Sequence, residues 1–126
     1  MKIKENLRYT SAHLWVAEAE NGLLMAGITD YAQDMLGDIV YVESPKVGSH
    51  ITESQPCGLV ESVKTGSDLL APLNGTVEAV NEALQGNPEQ INDTPYEAWI
   101  FKFHAASADD LGKLLTASAY KEFLQE

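Results

Sequence analysis

The chain has 126 residues, nineteen of them Asp or Glu against eight Lys or Arg. The resulting net charge of −11 disfavours binding to nucleic-acid backbones and to anionic membranes, both of which repel it. A hydrophobic content of 44% supplies a core and excludes disorder, and no apolar run approaches the roughly 20 residues of a membrane-spanning helix. The length fits one domain over residues 1–126. Met1-Lys2-Ile3-Lys4-Glu5-Asn6 has neither the apolar core of a secretory signal nor an Arg/Ser-rich amphipathic stretch, so a cytoplasmic location is expected. The acidic excess has two readings, plain solubility or steering toward basic faces of partner proteins. The lone Cys57 cannot form an internal disulfide and reads as a small buried side chain.

Residues 1–11 read as a polar, loosely held arm in which Leu7 and Tyr9 pack. His13 to Glu18 has strand character, Glu20-Asn21-Gly22 is a hairpin turn, and Leu23 to Ile28 is the return strand. Thr29 to Gly37 predicts a short helix. Thr29 is its cap, Asp30 sits at the positive dipole end and Gly37 at C′. Its Tyr31/Ala32, Met35 and Leu36 face is expected to cover the sheet. Asp38 to Glu43 is a strand, Pro45 to Gly48 a turn, and Ser49 to Ser54 a short, weaker strand.

An apolar run from Leu59 to Val63 leads into Lys64, and Leu69 to Ala71 follows Thr65-Gly66. This is a hairpin over Gly58 to Ala71 with Lys64 near its tip. Gly66 is expected to supply positive φ, and Ser67 and Asp68 to bond nearby N–H groups. By spacing alone such a lysine is a solvated charge. Pro72 to Gly75 is a further turn, and Thr76 to Val80 alternates as a strand. Asn81 to Leu84 reads as one helical turn. Asn87 to Asn92 reads as another, with Asn87 as N-cap and Pro88 at N1. Trp99 to Phe103 is the last strong strand. Ser107-Ala108-Asp109-Asp110 resembles a capping box opening a helix through Leu111, Leu114 and Leu115, and a second helical piece covers about 117–124. Short strands at this spacing imply a sandwich or flattened barrel.

Glu61-Ser62-Val63-Lys64-x-x-Ser67-Asp68 resembles the lipoyl-attachment hairpin of glycine cleavage system H proteins. Biotin carriers set their lysine between two methionines, whereas Val63 and Thr65 flank this one. The resemblance continues through His13-x-Trp15, Gly27-Ile28-Thr29-Asp30-x-Ala32-Gln33, Leu36-Gly37-Asp38-Ile39-Val40, Ala71-Pro72-x-x-Gly75, Val80-Asn81 and Ile91-Asn92 to Trp99-Ile100. It implies a mostly β lipoyl-type barrel-sandwich hybrid with short flanking helices and C-terminal helices over 107–125. It also implies lipoate in amide linkage on Lys64, within an attachment hairpin of Glu61, Ser62, Val63, Ser67 and Asp68. Such a protein is a monomeric carrier and not an enzyme.

Two departures stand out. Leu14 replaces the family's usual glutamate, which lies near the cleft sheltering the loaded arm. Thr65-Gly66 replaces two small residues, commonly Ala-Ala. Two cargoes therefore stay open. One is the aminomethyl group of glycine cleavage, with glycine decarboxylase, aminomethyltransferase and dihydrolipoyl dehydrogenase as partners. The other is sulfur, with a heterodisulfide-reductase-like complex, which Leu14 favours because it cannot pair with a cationic amine. Either needs a lipoate ligase or lipoyltransferase, for which Glu61 and Asp68 are candidate recognition residues or simply hairpin structure. A non-lipoylated interaction module that kept the fold is the alternative. His13, His50 and His104 lack metal-ligand spacing, and no nucleophile–base set is visible.

Overall fold

The computed structural model describes residues 2–107 and 109–125, which form two antiparallel sheets with short flanking helices. In chain order the strands are β1 (Arg8–Tyr9), β2 (Leu14–Glu18), β3 (Leu24–Ile28), β4 (Ile39–Glu43), β5 (His50–Ile51), β6 (Pro56–Ser62), β7 (Gly66–Leu70), β8 (Gly75–Val80) and β9 (Phe101–Ala105). The helices are α1 (Asp30–Leu36), α2 (Ala83–Gly86), α3 (Gln90–Asp93) and α4 (Ala117–Leu124). One sheet has the order β1-β2-β3-β9-β8-β5 and the other β4-β6-β7. The two sheets do not join, so the fold is a sandwich rather than a closed barrel.

Alternation along the strands builds the core. Val16, Ala26, Val77, Phe101 and Phe103 of the large sheet meet Ile39, Val42, Val60 and Leu69 of the small one in a single cluster. A second cluster joins Tyr9, Trp15, Ala117 and Tyr120, with the Tyr9 and Tyr120 rings stacked at 4.6 Å. It fastens α4 to β1 and β2.

Helix α1 forms as its caps dictate. Thr29 Oγ1 accepts from the Ala32 N–H at 3.2 Å, and Gly37, at φ 83, donates its N–H to Gln33 O. Ala32 and Leu36 pack on the core, but Met35 is 61% exposed, so the expected covering face is narrower than its period suggested.

Four further expectations are corrected. The N-terminal arm is anchored, because the Tyr9 hydroxyl accepts from the Lys4 N–H and donates to Lys4 O, and Lys2 N–H donates to Asp30 at 2.7 Å. Asn87 does not cap α3 with its side chain; Glu89 holds that place and no side-chain cap forms. The last strand begins at Phe101; Trp99 and Ile100 precede it, and Ile100 keeps one cross-strand bond, its N–H donating to Ala26 O. The predicted helix after Ser107 is only a 3-10 turn, Asp110–Lys113, and Ala108 of its capping box lies outside the described residues.

Candidate functional site

Strands β6 and β7 pair from Pro56↔Leu70 to Glu61↔Gly66, and the Ser62 N–H donates to Thr65 O at 2.7 Å. The turn itself is therefore Val63-Lys64. Neither residue takes a positive φ, so the hairpin lacks the left-handed backbone that usually matches strand twist. The buried Ser62 hydroxyl compensates. It accepts from the Lys64 and Thr65 N–H groups, both at 3.1 Å, and donates to Thr65 O at 3.1 Å. Gly66 is an ordinary strand residue with negative φ, and a Cβ there would make only ordinary contacts, 3.6 Å to Leu59 and 3.7 Å to Glu61. Ser67 and Asp68 make no hydrogen bond to the turn among the described residues. The expected roles of Gly66, Ser67 and Asp68 in shaping the turn thus pass to Ser62.

The tip is fixed from outside as well, since the Val63 N–H donates to Asp38 O at 3.0 Å. Val63 is 68% exposed, Glu61 and Lys64 are exposed, and the Lys64 amine has no ion-pair partner among the described residues. Its side chain crosses Gly37. A Cβ there would lie 3.1 Å from Lys64 Cε, so a glycine clears the lysine's path as well as ending α1. Between Lys46 and Lys102 there is no other Lys or Arg, so this cation stands alone in an acidic segment.

Beside the hairpin, a cleft of about 180 Å³ runs between α1 and β7. Leu14, Ile28, Met35 and Leu36 make it apolar, while His13, Tyr31, Ser67 and Asp68 bring polar groups to its border. Leu14 is 2% exposed and belongs to the main core, so it forms the cleft's floor. Asp68 is the one carboxylate on the lining among the described residues.

The structure brings together Glu61, Ser62, Val63, Lys64, Ser67 and Asp68 on one hairpin. Sequence reasoning missed Gly37 as the lysine's neighbour, and missed a cluster at the cleft's far end. There His13 Nδ1 lies 2.9 Å from Tyr120 Oη, and Tyr120 Oη lies 3.0 Å from Thr29 Oγ1. No linear signal joins residues 13, 29 and 120, and His13 sits at φ 69, which few non-glycine residues announce. His50 pairs with Thr76 and His104 with Glu78, both exposed and away from the lysine turn. Cys57 is half-buried and burial pushes its thiol up to about 11, which suppresses thiolate chemistry. No group of metal ligands occurs among the described residues, and none of the described helices is long and apolar enough to cross a membrane.

Comparison with known proteins agrees with this arrangement. The glycine cleavage H-protein family model matches residues 7–126. A glycine cleavage system H protein of Methylobacillus flagellatus is 63% identical over 124 residues, covering 98% of this chain and 99% of that one. The H protein of Bacillus subtilis is 49% identical over 127 residues, covering 100% and 99%. The crystal structure of a Mycobacterium marinum glycine cleavage system H protein superposes with a TM-score of 0.88 at 37% identity, covering 98% of this chain and 100% of that one.

Proposed function

The chain belongs to the glycine cleavage H-protein family, lipoyl carriers rather than catalysts, and on that premise we propose that Lys64 is the lysine bearing its lipoyl arm. The observation that carries the assignment is an exposed amine, unpaired among the described residues, on a two-residue turn whose shape is fixed by Ser62 and Asp38. A modifying enzyme can reach that amine without disturbing the core. Bound lipoate supplies a dithiolane that takes a group on sulfur and exchanges electrons by thiol–disulfide chemistry.

The chain's residues do the rest. The hairpin presents Lys64 outward, tethering raises the local concentration of what it holds, and the cleft along α1 gives the arm an apolar resting place that excludes water. The sulfur-oxidation cargo suggested by Leu14, and the module without lipoate, find no support in the relatives above, which are named for glycine cleavage. With Leu14 in place of a carboxylate, Asp68 on the cleft is a group that can meet a cationic amine. We accordingly assign the aminomethyl group as cargo. Glycine decarboxylase, aminomethyltransferase and dihydrolipoyl dehydrogenase are the enzymes served, and a lipoate ligase or lipoyltransferase loads the arm. Residues 1–126 act as one unit in this reading.

The test is glycine–bicarbonate exchange by glycine decarboxylase in the presence of the lipoylated chain. The wild type supports exchange and Lys64→Arg does not; no exchange with fully lipoylated wild type would refute the glycine-cleavage assignment.

A further inference from the structure

The far end of the cleft holds a proton chain with one consistent order. Thr29 Oγ1 is fully buried and already accepts from the Ala32 N–H. Its own proton needs an acceptor, and Tyr120 Oη, at 3.0 Å, is the one available among the described residues. Tyr120 then has its phenolic proton left to donate, and His13 Nδ1 lies 2.9 Å away. The reverse order leaves the buried Thr29 hydroxyl proton without an acceptor, which proteins avoid. Nδ1 is therefore the bare nitrogen, and the neutral imidazole holds its proton on Nε2. Nε2 has no partner among the described residues, and His13 borders the cleft. Burial lowers the imidazole's affinity for a second proton, in keeping with the neutral ring.

Position says what this donor would meet. His13 packs against Tyr31, at the first turn of α1, with ring centroids 4.7 Å apart. Lys64 leaves the hairpin over Gly37, just past the last turn. The six-residue rise between Tyr31 and Gly37 is about 9 Å along the helix. An arm lying from Lys64 along this apolar cleft thus keeps its amide near Gly37 and brings its distal end to His13.

We propose that His13 is a binding residue of the cleft, donating a hydrogen bond from Nε2–H to the distal sulfur of the arm, and that Tyr120 and Thr29 are positioning residues that fix its tautomer. This rests on Lys64 as the attachment point. No proton leaves the ring in this role. A donor aimed at sulfur favours the thiolate over the thiol, against the opposing effect of an apolar cleft. Among the described residues the titratable groups facing this corner are Tyr31, Tyr120 and, across the cleft, Asp68.

Two measurements test it. Long-range proton–nitrogen NMR of the unlipoylated chain should show His13 bare at Nδ1 and protonated at Nε2, and Tyr120→Phe should release the ring into a tautomer mixture. A proton on Nδ1 in the wild type would overturn the proton order. The second uses His13→Asn, since Asn tolerates positive φ and its amide oxygen can accept from Tyr120, but it has no Nε2–H. In lipoylated, reduced protein, alkylation of the arm thiols should shift to higher pH in this variant, with a several-fold lower rate at neutral pH. Superimposable profiles would overturn the inference alone. Absence of the lipoyl mass from Lys64 in these samples would instead overturn the carrier reading and this inference with it.

Discussion

At the lysine turn the shape depends on one buried hydroxyl. Ser62 Oγ satisfies two N–H groups and one carbonyl, in a turn whose backbone lacks the positive φ usual for two-residue hairpins. Ser62→Ala is expected to cost about 1–3 kcal/mol and to slow lipoylation, measured by denaturant unfolding and by the rate of mass gain with a lipoate ligase. Two glycines give a contrasting pair. Gly75→Ala would set a Cβ 2.2 Å from His104 O, so strand β8 must part from β9. Its cost should reach the range of about 4 kcal/mol or more, seen as loss of soluble protein or a large fall in Tm. Gly66→Ala makes only ordinary contacts, with Leu59 and Glu61, at negative φ and should leave stability unchanged or raise it by about 0.4–1 kcal/mol, by the same measurements.

Among the elements, α1 joins the site to the scaffold. Its N-terminal cap, Thr29, also bonds Tyr120 of α4, while the side chain of Thr116, which caps α4, bonds only the Ala119 N–H among the described residues. Thr116→Ala should cost about 1 kcal/mol. Thr29→Ala should cost more, because it also strips a partner from a buried phenol; chemical denaturation of the two variants side by side checks the order. This element also marks how far the sequence could be read. Thr29, Gly37 and the 3.6-residue period made α1 legible, and α4 lies where it was expected, over Ala117–Leu124. Asn21 likewise adopts φ 57 in the turn that Glu20-Asn21-Gly22 announced. The lysine hairpin was legible from its two apolar runs. Its mechanics were not, because Ser62 is a buried polar residue whose partners depend on strand register, while Gly66 drew attention by residue type. The cleft was hidden for a related reason: Leu14, Met35 and Asp68 become neighbours only when β2, α1 and β7 pack. Met35 fits the helix period yet stays 61% exposed at the cleft, while Leu36 and Ala32 make the contact with the core.

On the scale of the whole molecule, tyrosines tie the two ends of the chain to the sandwich. Tyr9 stacks on Tyr120, and Tyr96 donates to Lys2 O. Burial raises all three phenols above the usual 10.0, with Tyr120 pushed up to about 12. The folded state therefore keeps protons that the unfolded chain releases. Their contribution is full below pH 10 and falls as pH rises through the folded values. Stability should decline above about pH 10, and Tyr120→Phe should flatten that decline in a series of urea titrations across pH. At neutral pH the fold holds steady around the exposed Lys64 amine at the β6–β7 turn, on which the carrier role depends. The most direct measurement is peptide mapping by mass spectrometry after loading with a lipoate ligase. Attachment at Lys64 puts the lipoyl mass on that residue, and none anywhere on Lys64→Arg. The same mass on another lysine, or its persistence in the variant, would contradict it.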